Sequence, residues 1–296
     1  MVSYIPNPVR AFAAALFVLA AVPAISAENY LQSAHEQRLQ AARAEASAAT
    51  SPSDMAEALR AQAAELDSLG KSTEALTLID QAFKLVAPKQ DRRLVATKAG
   101  ILFSLNEPKA ALDLLEPELA AVRKSAENPD PVRRMVGLSA FTEGFVTATF
   151  AHLQLGQWQE AIVTLSDAEA PLEGPGFYAY RSLAYRYIMA RANNSSLGNA
   201  RLEKSAAAYA QKDKSHYGAL LRMWQGEDSA SDIASVISKL SGQEQQEARV
   251  EADFYMGAYA KFVKGDDAKA RQMLDAMNQL APYGSIEWIY GKRVLQ

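Results

Sequence analysis

Tyrosine and arginine side chains recur along FYAYRSLAYRYIMARANN, residues 177–194. In a helix, Tyr178, Arg181 and Tyr185 fall on one face, because residues three or four positions apart are neighbours there. Tyrosine rings and a guanidinium group offer a large contact area and directional hydrogen-bond donors, as protein-binding surfaces do. This face is therefore a candidate partner-binding site. The alternative is that the tyrosines fill the space between packed helices and the arginine pairs with an acid.

Residues that could perform catalysis are sparse. The three histidines, His35, His152 and His216, are far apart, and there is no cysteine. The sequence contains no HExxH pair, no phosphate-cradling glycine loop and no nucleophile elbow. We therefore predict that the protein is not an enzyme and has no catalytic residue, no cofactor and no metal site. The alternative that stays open is a hydrolase whose acidic residues converge only in three dimensions.

Carboxylates are plentiful, and their spacing is that of solvated helix faces. Asp266 and Asp267 follow a glycine at a predicted helix start, where acidic side chains stabilise free backbone amides. Glu244, Glu247 and Glu251 are predicted to share one charged face of a helix.

Composition indicates a globular protein with no affinity for nucleic acid. The chain has 296 residues, of which 49% are hydrophobic and 22% charged, and its formal net charge is −3. Binding to a nucleic acid backbone requires a basic surface that releases counterions, and here acidic residues slightly outnumber basic ones. Nucleic acid is therefore not a predicted partner.

The first 27 residues are typical of an export signal. A single basic residue, Arg10, precedes the apolar run AFAAALFVLAAV at 11–22, and the small residues AISA end at Ala27. Because the run is shorter than the roughly 20 residues of a membrane-spanning helix, we expect cleavage after Ala27 and no stable membrane insertion of the mature chain. The predicted location is periplasmic or secreted. The alternative is an inner-membrane anchor formed by an uncleaved 11–27 segment.

A glycine followed five residues later by an alanine recurs along the rest of the chain. The outline appears in LGKSTEALTLIDQA (69–82), LGQWQEAIVTLSDA (155–168) and VKGDDAKARQMLDAM (263–277). Apolar residues follow the helical period, with no convincing alternation typical of strands. The glycine lets the chain leave one helix in a left-handed conformation. The alanine is predicted to lie where two helix axes approach most closely.

These helix pairs resemble tetratricopeptide repeats of the bacterial envelope. The equivalent residues Ala75 and Ala111 are 36 residues apart, close to the repeat length of about 34 residues in that family. The resemblance implies an all-α fold, a tetratricopeptide-like array of helix hairpins (an α-solenoid), with a C-terminal capping helix. It also implies that the first helix of each pair lines a concave surface, which would place Tyr178, Arg181 and Tyr185 near a groove.

The predicted organisation has three parts. Residues 1–27 form the signal peptide, 28–55 a leading helix and linker, and 56–296 the repeat domain. The repeat units are predicted at about 56–89, 92–125, 142–175, 176–212, 214–241 and 251–284. KSAENPDPVRR (124–134) is predicted to be a lengthened loop, and 284–296 to be the helix that covers the last exposed apolar face of the stack.

An open stack of this kind presents a long surface that needs no cofactor. We therefore expect an exported scaffold that binds a protein or peptide and helps to organise an envelope assembly. A structural subunit that associates with itself through unpaired repeat ends is the third possibility.

Overall fold

The computed structural model describes residues 29–86, 91–280 and 284–296. Over these ranges the chain is helical and contains no strand, so the all-α prediction is confirmed. The predicted signal peptide 1–27 lies outside the described residues, as do the last residues of the predicted unit 56–89. The helices are α1 (Tyr30–Ala48), α2 (Pro52–Ser68), α3 (Ser72–Leu85), α4 (Arg92–Ser104), α5 (Pro108–Ser125), α6 (Pro131–Leu138), α7 (Thr142–Gln154), α8 (Trp158–Asp167), α9 (Pro175–Ala192), α10 (Ala200–Lys212), α11 (His216–Trp224), α12 (Ala230–Ile237), α13 (Gly242–Tyr259), α14 (Asp267–Asn278) and α15 (Ile286–Val294).

Four helix pairs are joined by turns that contain a left-handed residue. Its φ is positive in each turn: Gly70 (75°), Asn106 (67°), Gly156 (71°) and Gly265 (70°). Before Gly265, a π-helical turn, Ala260–Lys264, extends α13. In the first turn, the Gly70 amide donates to the Asp67 carbonyl at 2.9 Å and the Lys71 amide to the Leu66 carbonyl at 2.8 Å. A left-handed residue permits these bonds, which satisfy the free carbonyls at a helix end.

An alanine occupies the fourth position of the helix that follows each of these turns. These alanines are Ala75 in α3, Ala111 in α5, Ala161 in α8 and Ala270 in α14. All four are 0% exposed. A larger side chain at these positions would push apart two helices that are already in contact. The four positions are therefore equivalent in the structure as well as in the sequence.

Neighbouring helices pack against one another along the chain. The contacts join α2 to α3, α4 to α5, α7 to α8, α9 to α10 and α13 to α14. One buried cluster lies among α1, α2, α3 and α4, and a larger one extends from α4 to α15 and includes Leu31 of α1. The apolar stripe of each helix is thus covered mainly by the helices next to it in sequence.

The segment predicted as a long loop at 124–134 is partly helical. Helix α5 continues to Ser125, and Pro131 begins α6. The Asp130 side chain accepts from the Val132 amide at 2.9 Å, which caps α6. Proline at the first helical position has no amide to satisfy, so the same residue that suggested a loop starts a helix.

Helix α15 packs on the last pair, α13 and α14, and also contacts α7. Its buried residue Tyr290 contacts aromatic rings from four helices, α4, α7, α9 and α13; the ring centroids lie at 6.3 Å from Phe103, 5.5 Å from Phe150, 6.1 Å from Tyr187 and 6.3 Å from Phe254. The Arg293 guanidinium also donates to the Phe103 carbonyl at 2.6 Å. Helix α15 therefore lies over the last pair and also reaches first helices of earlier pairs, which the sequence pattern did not indicate.

Helix α1 packs against α13, which is distant in sequence. The Leu31 amide donates to Gln246 Oε1 at 3.0 Å, and Asn29 Nδ2 donates to the Leu280 carbonyl at 3.1 Å. The leading helix therefore joins the late part of the chain instead of extending away from it.

Candidate functional site

The face formed by Tyr178, Arg181 and Tyr185 is directed into the protein. Arg181 is 4% exposed and Tyr185 is 1% exposed, whereas Tyr178 is only partly buried. Arg181 Nη1 donates to the Ala168 carbonyl at 2.6 Å and lies 3.0 Å from Glu169 Oε1. A partner could therefore reach Tyr178 but not Arg181 or Tyr185 in this conformation.

The reason for this burial is the segment that connects α8 to α9. Its Glu169 carboxylate is 2% exposed, and a buried carboxylate needs a cation to offset lost hydration. Two arginines supply it, the buried Arg181 and the more exposed Arg201, whose Nη1 lies 2.6 Å from Glu169 Oε1. The Arg181 guanidinium also lies 4.8 Å from the centroid of the Tyr178 ring. The Tyr185 hydroxyl accepts from the Asn199 amide at 3.2 Å and so joins α9 to the start of α10. The alternative of core packing and an arginine–acid pair thus describes Arg181 and Tyr185.

Each histidine lies beside a polar side chain. His35 lines a small pocket together with Glu251, the carboxylate that His216 contacts, whereas His152 lies elsewhere. His35 Nδ1 lies 2.7 Å from Glu65 Oε2, His152 Nδ1 lies 2.7 Å from Gln157 Oε1, and His216 Nε2 lies 2.8 Å from Glu251 Oε2. Within the described ranges, no group of three or more histidine or acidic side chains is placed to hold a metal ion.

A groove of about 650 Å³ lies between α9, α11, α12 and α13. The start of α9 and the segment before α11 form one wall, the end of α12 another, and one face of α13 the floor. Its lining residues are Pro175, Gly176, Asp213, Lys214, Ser215, His216, Tyr217, Val236, Lys239, Leu240, Glu244, Glu247, Ala248 and Glu251.

The charge of the groove comes mainly from α13. Glu244, Glu247 and Glu251 follow one another at helical spacing along its floor. Two lysines, Lys214 and Lys239, also line the groove, so carboxylates are in excess. Because charges of one sign in a cleft reinforce one another, the groove favours a cationic occupant.

Glu251 is the best-anchored of these carboxylates. Its Oε2 accepts from the Tyr217 hydroxyl at 2.8 Å and lies at the same distance from His216 Nε2. A second carboxylate, Glu287, lies behind it and is 3% exposed. Burial, and then repulsion from Glu251, raise the pKa of Glu287 to about 7. Because the buried Glu287 carboxyl lies close to Glu251, added positive charge is favourable at this end of the groove.

The groove lacks the arrangement needed for nucleophilic catalysis. Ser215, the hydroxyl residue next to His216, accepts from the Tyr217 amide at 3.2 Å and donates to Asp213, so it caps α11. His216 Nε2 is directed at Glu251 and not at a hydroxyl. Glu287 does not line the groove. The side chains therefore offer hydrogen-bond acceptors and negative charge to a ligand, rather than an activated nucleophile.

Sequence spacing alone indicated part of this site. It placed Glu244, Glu247 and Glu251 on one face of a helix, but it gave no sign that α11 and α12 would form walls beside that face. The signal that could have located the groove is the run DKSHY at 213–217, which combines helix-capping residues with a histidine and a tyrosine.

Comparison of the sequence with models of protein families and with curated proteins found no match. In the described part of the chain, every helix is too short or too polar to span a lipid bilayer.

Proposed function

We propose that the protein is an exported tetratricopeptide-like scaffold that binds a basic protein segment in the groove between α9, α11, α12 and α13. The observation that carries the proposal is the row Glu244, Glu247 and Glu251 on the groove floor. Lysine or arginine side chains of an extended segment would meet these carboxylates in turn. Partner capture of this kind fits a scaffold that organises an envelope assembly.

The apolar side chains of the groove support a peptide in preference to a single small cation. Val236, Leu240 and Ala248 line it together with the carboxylates. A peptide segment can place apolar side chains on these residues and cationic ones on the glutamates, so both parts of the lining contribute to binding.

The repeated helix pairs support the proposed architecture. The left-handed turns at Gly70, Asn106, Gly156 and Gly265 and the buried alanines that follow them are the features expected of a tetratricopeptide-like α-solenoid. In that architecture, binding surfaces form between successive pairs. The groove lies beside the two predicted units 176–212 and 214–241.

Peptide binding can be tested by fluorescence anisotropy. The probes are labelled ten-residue peptides of equal apolar content that carry three lysines, three serines or three glutamates. We expect the lysine peptide to bind best and its affinity to fall with added salt, because screening weakens exposed charge pairs. The double variant Glu244→Lys and Glu247→Lys should weaken binding at least about tenfold, equivalent to about 1.4 kcal/mol.

A matched control is available on α5. Asp113 and Glu116 have the same spacing as Glu244 and Glu247, and all four are exposed. The variant Asp113→Lys and Glu116→Lys carries the same change in net charge away from the groove. If this control weakened binding equally, or if the serine peptide bound as tightly as the lysine peptide, the proposed site would be wrong.

Export is tested separately by the amino terminus of the protein recovered from its native host. Cleavage after Ala27 would leave Glu28 as the first residue. An intact 11–27 segment in the membrane fraction would favour the anchored alternative instead.

A further inference from the structure

A second cavity lies on the opposite side of the α12 and α13 pair. It measures about 310 Å³ and shares no lining residue with the groove. Its lining consists of Ala230, Ile233, Ala234, Ile237, Ser238, Gln245, Arg249, Ala252, Asp253 and Met256. Most of these side chains are apolar, and the volume is at the lower end of small-molecule sites.

Asp253 is the one acidic side chain that lines this cavity. The residue is 6% exposed, and its buried Oδ2 has no hydrogen-bond partner. Most buried polar atoms are hydrogen-bonded, so an unpartnered carboxylate oxygen beside a cavity is an unusual feature. Burial raises the pKa of this carboxyl to about 6, against the opposing effect of Arg249 and Lys269.

The two nearby cations do not satisfy this carboxylate. Arg249 and Lys269 are both exposed, and their attraction lowers the Asp253 pKa less than burial raises it. Arg249 also lies on the cavity lining. The Asp253 side chain thus lines the cavity while one of its carboxylate oxygens is buried without a hydrogen-bond partner.

We propose that this cavity binds a small primary ammonium compound with an apolar stem. The ammonium group would donate to the Asp253 carboxylate, and the stem would pack on Ile233, Ile237 and Met256. A charge-assisted bond in a site with little water is stronger than the same bond at the surface. A neutral molecule of the same shape would leave the carboxylate unpartnered, so the site should select for the cation.

Calorimetric titration at pH 7.5 tests the proposal with n-hexylammonium chloride as the probe and 1-hexanol and hexanoate as neutral and anionic analogues of similar length. Hexylammonium should bind at least about tenfold more tightly than hexanol, and hexanoate should not bind. Equal binding of hexylammonium and hexanol would overturn the proposal, because it would mean that Asp253 takes no part.

Two variants assign the binding to this cavity. Asp253→Asn keeps the shape and should reduce hexylammonium affinity at least about tenfold, whereas Asp275→Asn, at an exposed position on α14, should have no effect. Ala234→Trp at the exposed edge of the cavity leaves Asp253 intact and should block binding by filling the space. Unchanged affinity in either Asp253→Asn or Ala234→Trp, with helical circular dichroism retained, would refute the site. The outcome is independent of peptide binding in the groove.

Discussion

Tyr290 of α15 packs edge-on against Phe150 of α7, with ring centroids 5.5 Å apart and planes inclined at 83°. Both side chains are buried at 1% exposure or less. Edge-to-face geometry places the positive ring edge of one aromatic residue against the negative face of the other. This contact fastens the last described helix to the middle of the chain.

Removing the Tyr290 ring should destabilise the whole fold. We expect Tyr290→Ala to lower the free energy of unfolding by about 3–5 kcal/mol, as measured for large aromatic residues in protein cores. Urea unfolding followed by circular dichroism measures the change. Tyr290→Phe keeps the ring and should cost less than about 1.5 kcal/mol. If the two variants lost similar amounts of unfolding free energy, the Tyr290 hydroxyl, and not the packing of its ring, would hold α15 in place.

Arg181 should behave as a core residue and not as a binding residue. Arg181→Ala leaves Glu169 with the partly exposed Arg201 as its remaining cation, and we expect a loss of about 1–3 kcal/mol in unfolding free energy. The double variant Arg181→Met and Glu169→Leu should be more stable than Arg181→Ala, because it removes both buried charges. Arg133→Ala, whose side chain is 77% exposed, serves as the control and should change stability little. A stable Arg181→Ala variant that lost peptide binding would restore Arg181 as a partner contact.

The left-handed turn at Gly156 should resist substitution. Gly156→Ala should cost about 1–2 kcal/mol, since a side chain disfavours the φ of +71° found there. The nearest atom to an added Cβ is 3.8 Å away, on Trp158, so the cost would come from the backbone and not from a clash. Gly176→Ala, in the first turn of α9 with open space around it, should be neutral or stabilising. Thermal unfolding of both variants measures the difference in stability. An equal decrease in melting temperature in the two variants would contradict the prediction.

Glu287 should make the protein less stable as the pH rises. Its pKa in the folded state is about 7, above the ordinary value of 4.5. Between these values the folded protein holds a proton that the unfolded chain has released, so stability falls with rising pH by up to about 1.4 kcal/mol per pH unit. Asp253 also has a raised pKa in the folded state, about 6, and so adds to this loss of stability over a lower range of pH. Its contribution ends near pH 6, so the loss between pH 6 and 7 reports on Glu287.

Glu287→Gln should remove the fall between pH 6 and 7 and raise the stability at pH 8 relative to the unmodified protein. Urea titrations at several pH values measure it, with the exposed Glu116→Gln as the control. A slope between pH 6 and 7 that persisted in Glu287→Gln would assign the titration to another group.

Local signals in the sequence predicted local structure well. Gly70, Gly156 and Gly265 were expected in left-handed turns, and each has a positive φ. The helical period excluded strands, in agreement with the described ranges. These features depend on residues within one or two helical turns of each other, which sequence spacing records directly.

Contacts between distant segments could not be predicted in this way. The spacing of Tyr178, Arg181 and Tyr185 placed them correctly on one face but could not show that Glu169 lies against it. Likewise, the pattern of α15 identified a helix but not the four rings around Tyr290. Burial of Asp253 also depends on α12 folding over α13. In each case the contacting residue is distant in sequence, so the helical spacing of one segment cannot reveal it.

The position of α15 at the end of the described chain means that its contact residues are synthesised before it. During synthesis on the ribosome, Phe103, Phe150, Tyr187 and Phe254 emerge before the helix that brings Tyr290 to them. Until Tyr290 docks, these rings lack one of their neighbours. A chain without residues 286–296 would therefore expose apolar surface that favours aggregation.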